Sequence, residues 1–124
     1  MFIVEDSEEY RVALSRLLTT VAYKVSLFDS AERFLIAQDA ATTPGCLLLN
    51  VCLPGLSGIE LQQQLIGSQC VHPIIFMTDK GDIQTGVRGM KTGAIDFLMK
   101  PIDPESLFAA SEPALRRDVE QRVD

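Results

Sequence analysis

The chain has 124 residues, 47% of them hydrophobic and 23% charged, with 11 Lys and Arg set against 17 Asp and Glu for a formal net charge of −6. That length holds one domain with a sizeable core and leaves no room for a second of ordinary size, and the composition is far from that of a disordered chain. An acidic chain without a Lys/Arg-rich run lacks the electrostatic footprint of a nucleic-acid or anionic-membrane binder, and no apolar stretch approaches the roughly 18 residues of a membrane span. The opening MFIVEDSEEY has no basic segment ahead of a long apolar one, so no signal peptide is evident and the expected compartment is cytoplasmic.

Short apolar runs alternate with stretches of helical period, the pattern of βα units feeding a parallel sheet. The expected strands are Met1 to Val4, Val25 to Phe28, Cys46 to Val51, Ile74 to Met77 and Phe97 to Met99. Most lack polar alternation, as suits strands covered on both faces, and Ser26 marks the second as an edge. After the first strand, Asp6 with Glu9 opens a helix whose apolar face is Tyr10, Leu14, Leu17, Leu18 and Val21. Asp29 with Glu32 opens the second helix and Ser57 with Glu60 the third. Ile83, Val87 and Met90 give the fourth a shorter face, and Asp103 before Pro104 caps the fifth.

Gly86 and Gly89 each cost the fourth helix about 1 kcal/mol relative to alanine, which makes it either soft or closely packed. Pro44 to Gly45, Pro54 to Gly58 and Gly93 punctuate the loops, and no repeat or linker interrupts residues 1 to 124. The polar end, residues 116 to 124, reads as solvated last turns of helix five running towards a connector, or as a frayed terminus. His72 reads as a loop residue; Cys46, Cys52 and Cys70, an odd set without CxxC spacing, read as reduced core thiols.

In an open parallel sheet ligands bind outside the carboxyl ends of the strands. Those ends carry Glu5 and Asp6, Asn50, Thr78 and Lys100. Two adjacent carboxylates suit a hard divalent cation such as Mg2+, and a hydroxyl and an ammonium suit phosphate-like oxygens. A generic α/β protein could place one or two such groups there by chance, but four strand ends together point to phosphoryl handling. No Gly-rich cradle follows strand one, where Glu5-Asp6-Ser7-Glu8-Glu9 would repel a nucleotide's phosphates, so dinucleotide and P-loop readings fail and a flavin reading is weakened.

IVEDSEEYR at 3–11, LLLNVCLPGLSGIEL at 47–61, IIFMTDKGDI at 74–83 and MKTGAIDFLMKPID at 90–103, in this order and spacing, resemble the receiver domain of two-component response regulators. The closest texture is that of the FixJ/LuxR-effector branch, and the resemblance covers nearly the whole chain. It implies a three-layer, doubly wound α/β fold with a five-stranded parallel sheet in the flavodoxin-like order 2-1-3-4-5, read here as a single domain over 1–124. By the same resemblance Glu5, Asp6 and the backbone carbonyl of Cys52 match the family's Mg2+ ligands. Thr78 matches its switch hydroxyl, Phe97 its switch aromatic, and Lys100, before a cis proline, the ammonium that pairs with the phosphoryl group. On the residues alone, Phe97 would be plain core.

Asn50 departs from the family, which uses an aspartate there to take a phosphoryl group from a histidine kinase or a small phosphodonor. An amide oxygen, its lone pairs delocalised, yields no comparable acyl phosphate. Two carboxylates and a lysine sum to −1 where the family has −2, so Mg2+ binding should be weakened, although Asn50 can still offer one neutral oxygen. Asp79 is a second departure: the family usually has a small residue there, and a carboxylate beside a phosphoryl group is unfavourable. An engineered Asp-to-Asn change at 50 in an ordinary phosphoacceptor receiver would not bring Asp79 with it, so the resemblance is read as a natural, phosphorylation-silent receiver and not an enzyme.

The partners so implied are a sensor histidine kinase or another signalling protein, and a second copy through the face of helix four, strand five and helix five. DNA would be reached only through an effector domain outside this chain, with transcription as the output, and no membrane is involved. A nucleotide- or flavin-binding α/β protein is the alternative of another class.

Overall fold

Five short parallel strands, β1 (Phe2–Val4), β2 (Ser26–Phe28), β3 (Leu47–Asn50), β4 (Ile74–Thr78) and β5 (Asp96–Met99), lie side by side in the order β2-β1-β3-β4-β5. They belong to a computed structural model that describes residues 1–37, 45–67, 72–79 and 83–123. Between and after them run α1 (Glu8–Thr19), α2 (Ala31–Ile36), α3 (Gly58–Gly67), α4 (Ile83–Lys91) and α5 (Pro104–Val123). The doubly wound fold and its strand order are those expected from the sequence.

Side chains alternate across a strand, and both faces of this sheet are covered. Phe2, Val4, Leu47, Leu49 and Phe76 pack with Ala31 and Phe34 of α2 and Leu61 and Leu65 of α3. Ile3, Leu48, Ile75 and Met77 point the other way, onto Leu14 and Leu18 of α1 and Leu107, Ala110 and Ala114 of α5. Continuous apolar runs are therefore required in the central strands. The two edges relax that requirement: Ser26 and Leu27 of β2 are exposed, and Asp96, Phe97 and Leu98 of β5 are only half-buried.

Parallel register levels the strand ends. Val4 stands beside both Phe28 and Leu49, Asn50 beside Met77, and Thr78 beside Met99. The chain leaves β1 for β2 on one side and returns to β3 on the other, which opens a crevice above the carboxyl ends of β1 and β3.

Local signals were displaced at several points. Ser7 and Ser30, each one residue after the expected Asp6 and Asp29, cap α1 and α2 by accepting from the Tyr10 and Arg33 N–H groups. Ser57 and Glu60 form the expected reciprocal box, and Asp103 caps α5 through the Ser106 N–H. Val21, assigned to the apolar face of the first helix, lies beyond its end and is exposed. Val87 is exposed as well, so the buried side of α4 is built on Gly86 and Gly89 with Met90 packed against the core.

That arrangement decides between the two readings of the α4 glycines. A Cβ on Gly89 would stand 2.3 Å from Cε2 and 2.7 Å from Cδ2 of Phe76, a ring that is itself fully buried, so the helix packs by close approach. Gly89→Ala is expected to lower the unfolding free energy by roughly 1–2 kcal/mol in urea melts, the cost of overpacking exceeding the gain of about 1 kcal/mol in helix propensity. A stabilising Gly89→Ala would instead mean a soft helix.

The end of α5 is not simply solvated. Asp118 is buried, accepts the Gly45 N–H at 2.8 Å and lies 3.9 Å from His72 Nδ1. His72 is a loop residue ahead of β4, as expected, and it is buried, with Nδ1 3.1 Å from the Gly45 carbonyl and its ring centre 5.0 Å from that of Phe2. Arg116 and Arg117 remain exposed. Of the cysteines, Cys46 is a buried core thiol, its pKa pushed up to about 12 by burial, whereas Cys52 is exposed. Cys70 and Pro44 lie outside the described residues. No described helix is long and apolar enough to cross a membrane.

Candidate functional site

The crevice is assembled from three strand ends. Beyond β1 the Glu5 N–H still bonds the Phe28 carbonyl at 3.1 Å, which prolongs the ladder by one residue and keeps Glu5 inside, fully buried. Asp6 follows and is exposed, and Ser7 then starts α1.

Asn50 is the last residue of β3 and is buried. The loop after it folds back tightly: the Gly58 N–H bonds the Val51 carbonyl at 2.9 Å, and a Cβ at 58 would fall 2.4 Å from the Asn50 carbonyl oxygen. Only glycine fits that approach. Glu32 of α2 steadies the same loop by accepting the Leu56 N–H at 3.2 Å. The sequence shows Glu32 only as a helix-start carboxylate.

Lys100 follows β5, anchored by its N–H on the Thr78 carbonyl at 2.8 Å and joined to Pro101 by a cis peptide bond. Its Nζ pairs with Glu5 Oε1 and lies 4.6 Å from the centroid of the Tyr10 ring, an approach that favours a cation over the ring face. The Tyr10 hydroxyl in turn accepts the Ile102 N–H at 2.9 Å, so α1 positions the segment after β5. The helical spacing of Tyr10 signals only a place on the core face of α1, not this second role.

The side chains converge on Glu5. Its Oε2 accepts from Asn50 Nδ2 at 2.8 Å and from the Ser7 N–H at 3.3 Å, while its Oε1 takes Lys100. The same Asn50 Nδ2 donates to Asp6 Oδ1 at 3.1 Å, and Asn50 Oδ1 faces the Cys52 N–H at 3.4 Å. The amide orientation follows from its surroundings, with two acceptors on one side and a backbone donor on the other. Burial pushes the Glu5 carboxyl above the usual range, and its contact with Asp6 adds to this against the pull of Lys100 and the Ser7 N–H. Asp6 is held below the usual range, first by its hydrogen bond with Glu5 and further by Asn50 and Lys100.

The remaining sequence candidates stand apart from this network. Thr78 is buried, but its hydroxyl donates to the Asp79 carbonyl at 2.8 Å, along its own backbone. Asp79 is exposed. Phe97 is half-buried and turned towards α4, with Cδ2 3.6 Å from where a Cβ on Gly86 would be.

Glu5 and Asp6 supply hard oxygens suited to Mg2+, yet the ligand set does not fit it as arranged. Asn50 presents a donor to the carboxylates rather than the neutral oxygen expected of it, and both oxygens of Glu5 are engaged. Among the described residues no group of three or more His, Cys, Asp and Glu is placed to hold a metal ion.

A family model for the response regulator receiver domain matches residues 1–112. The chain is 38% identical over 117 residues to the transcriptional regulatory protein FixJ of Bradyrhizobium diazoefficiens, covering 94% of this chain and 57% of that protein. It is 42% identical over 122 residues to nodulation protein W of the same organism, covering 98% and 53%. Among solved structures, the response regulator StyR superposes with a TM-score of 0.90 at 42% identity, covering 98% of this chain and 61% of StyR. The chain thus spans about half the length of the curated relatives it matches.

Proposed function

Because the chain belongs to the response regulator receiver domain family, we propose that it is a receiver that has given up phosphorylation and governs its output through protein contacts alone. The observation that carries this reading is Asn50, an amide at the end of β3 donating to both Glu5 and Asp6. The family's chemistry needs a carboxylate oxygen there to attack phosphorus, and an amide forms no stable acyl phosphate. Asp79, exposed just after β4, puts a carboxylate where the family usually has a small residue, which favours a natural loss over an engineered substitution in an otherwise ordinary phosphoacceptor.

On this reading the chain is one receiver unit, its last residues 116–124 leading from α5 towards a connector, and it performs no catalysis of its own. Mg2+ binding to Glu5, Asp6 and the Cys52 carbonyl is weakened. Thr78, Phe97 and Lys100 keep the switch positions without a phosphoryl group to report. The partners are a histidine kinase or another signalling protein, and a second copy through α4, β5 and α5, where Val87 and Met99 are exposed apolar residues. The output is transcription, as the name of the FixJ relative describes for that protein, with DNA reached through a region outside this chain.

The test is sedimentation velocity on the chain with and without an acyl phosphate or beryllium fluoride in Mg2+. Identical profiles are expected. A phosphodonor-dependent change in association would overturn the reading.

A further inference from the structure

We propose that the Asn50 side chain is a built-in substitute for the divalent cation, its NH2 group filling the space between Glu5 and Asp6 and closing the crevice to metal ions. The inference rests on the phosphorylation-silent reading and goes a step beyond weakened binding, to a pocket completed without metal.

The geometry carries it. One nitrogen stands 2.8 Å from Glu5 Oε2 and 3.1 Å from Asp6 Oδ1, so both N–H groups of a single amide are directed to carboxylates. An ion held by those two side chains would have to displace the amide nitrogen and its hydrogens, which already fill the space between them. For an ion to use Asn50 Oδ1 the amide would have to turn over, giving up both carboxylate bonds and setting Nδ2 against the Cys52 N–H, donor on donor.

Both Glu5 oxygens already accept donors, Lys100 on Oε1 and Asn50 with the Ser7 N–H on Oε2, so an ion would have to compete with them. What an ion would do electrostatically is therefore divided between an ammonium and an amide, both donors, both part of the chain. The ends of β1, β3 and β5 are tied together by Glu5, Asn50 and Lys100 whether or not a divalent cation is in solution.

The experiment is Mn2+ titration of the 15N-labelled chain followed by amide line broadening, beside Asn50→Asp and Asn50→Ala. Broadening localised to residues 5, 6, 50 and 52 is expected in Asn50→Asp. It should be weaker in Asn50→Ala, where the blocking donor is gone but no charge is added. The unsubstituted chain should need at least about tenfold more Mn2+ than Asn50→Asp to show the same effect.

Saturable, localised broadening of the unsubstituted chain at the concentration that saturates Asn50→Asp overturns the proposal. So does an Asn50→Ala variant that binds no better than the chain, because the amide would then not be what excludes the ion. Should Asn50→Asp fail to fold, the comparison with Asn50→Ala decides alone. Intact mass after incubation with an acyl phosphate separates the two levels: Mn2+ uptake without a phosphoryl group sinks only this inference, whereas a phosphoryl group on the unsubstituted chain sinks the silent-receiver reading.

Discussion

An Asn50→Asp variant incubated with a small acyl phosphate and Mg2+ should gain the mass of one phosphoryl group, while the unsubstituted chain stays at its own mass. The substitution supplies the carboxylate that the family's chemistry uses at this position. A carboxylate oxygen at 50 can attack the donor's phosphorus as the donor's own carboxylate departs, and Lys100 already stands beside Glu5 to offset charge on the transferred group. It also removes the amide that occupies the two acidic side chains.

Asp79 should slow the gain. A like charge within about 4 Å in water would cost roughly 1 kcal/mol, so adding Asp79→Ala to Asn50→Asp is expected to raise the rate by up to about fivefold. If neither variant acquires the added mass, the loss extends beyond position 50, with the Thr78 hydroxyl turned to its own backbone the next feature to examine.

Lys100→Met should cost about 3 kcal/mol of unfolding free energy in urea at neutral pH. It leaves a buried carboxylate without its counter-charge. The Lys100 side chain is only 13% exposed and that of Glu5 not at all, so solvent screens the pair little, although Asn50 and the Ser7 N–H still serve the carboxylate in the variant.

The loss should be pH-dependent, and the sign follows from Glu5. Burial raises its carboxyl in the folded state, so the native form binds the proton more readily than the unfolded one. Stability from that group is present below its unfolded value and is lost as pH rises through the folded one. Without Lys100 the folded value rises further, so the deficit of the variant should shrink towards acid pH and widen towards neutrality. Asp6, held below its usual value, runs the other way and loses its contribution only as pH falls through its lowered value. A deficit independent of pH would mean that Lys100 contributes packing over Tyr10 rather than charge.

The sheet was legible because its central strands have no choice of residue. Leu47, Leu48 and Leu49 are covered on both faces, so the unbroken apolar run is itself the trace of the layers above and below. Level strand ends in a parallel sheet then bring Glu5, Asn50 and Lys100 together across 95 residues of separation, and reading where each run stops was enough to find them.

Other features carried no such trace. The Gly45 contact with Asp118 spans 73 residues and links a loop to a helix end whose neighbours are polar, so periodicity alone made that end look solvated. By composition Asp6 and Ser7 are equally good caps; Ser7 takes the role because the ladder beyond β1 still holds Glu5 one residue further on. The direction of the Asn50 amide depends on a backbone donor two residues along, which no spacing rule reports. The sequence of α4 fits a soft helix and a closely packed one alike, because the Phe76 ring that stands against Gly89 belongs to another element, β4.

The bond between Gly45 and Asp118 bears on how α5 can move. Lys100, just ahead of that helix, is fixed at the upper rim of the sheet, and Asp118 fastens the far end at the lower rim. α5 is in effect a beam resting on two supports. A displacement at the upper support cannot be lost by fraying of the helix and has to be carried along it as tilt. Between the supports sits Pro113, which has no N–H to give the preceding turn, so the beam is weakest in the span where a tilt would bend it.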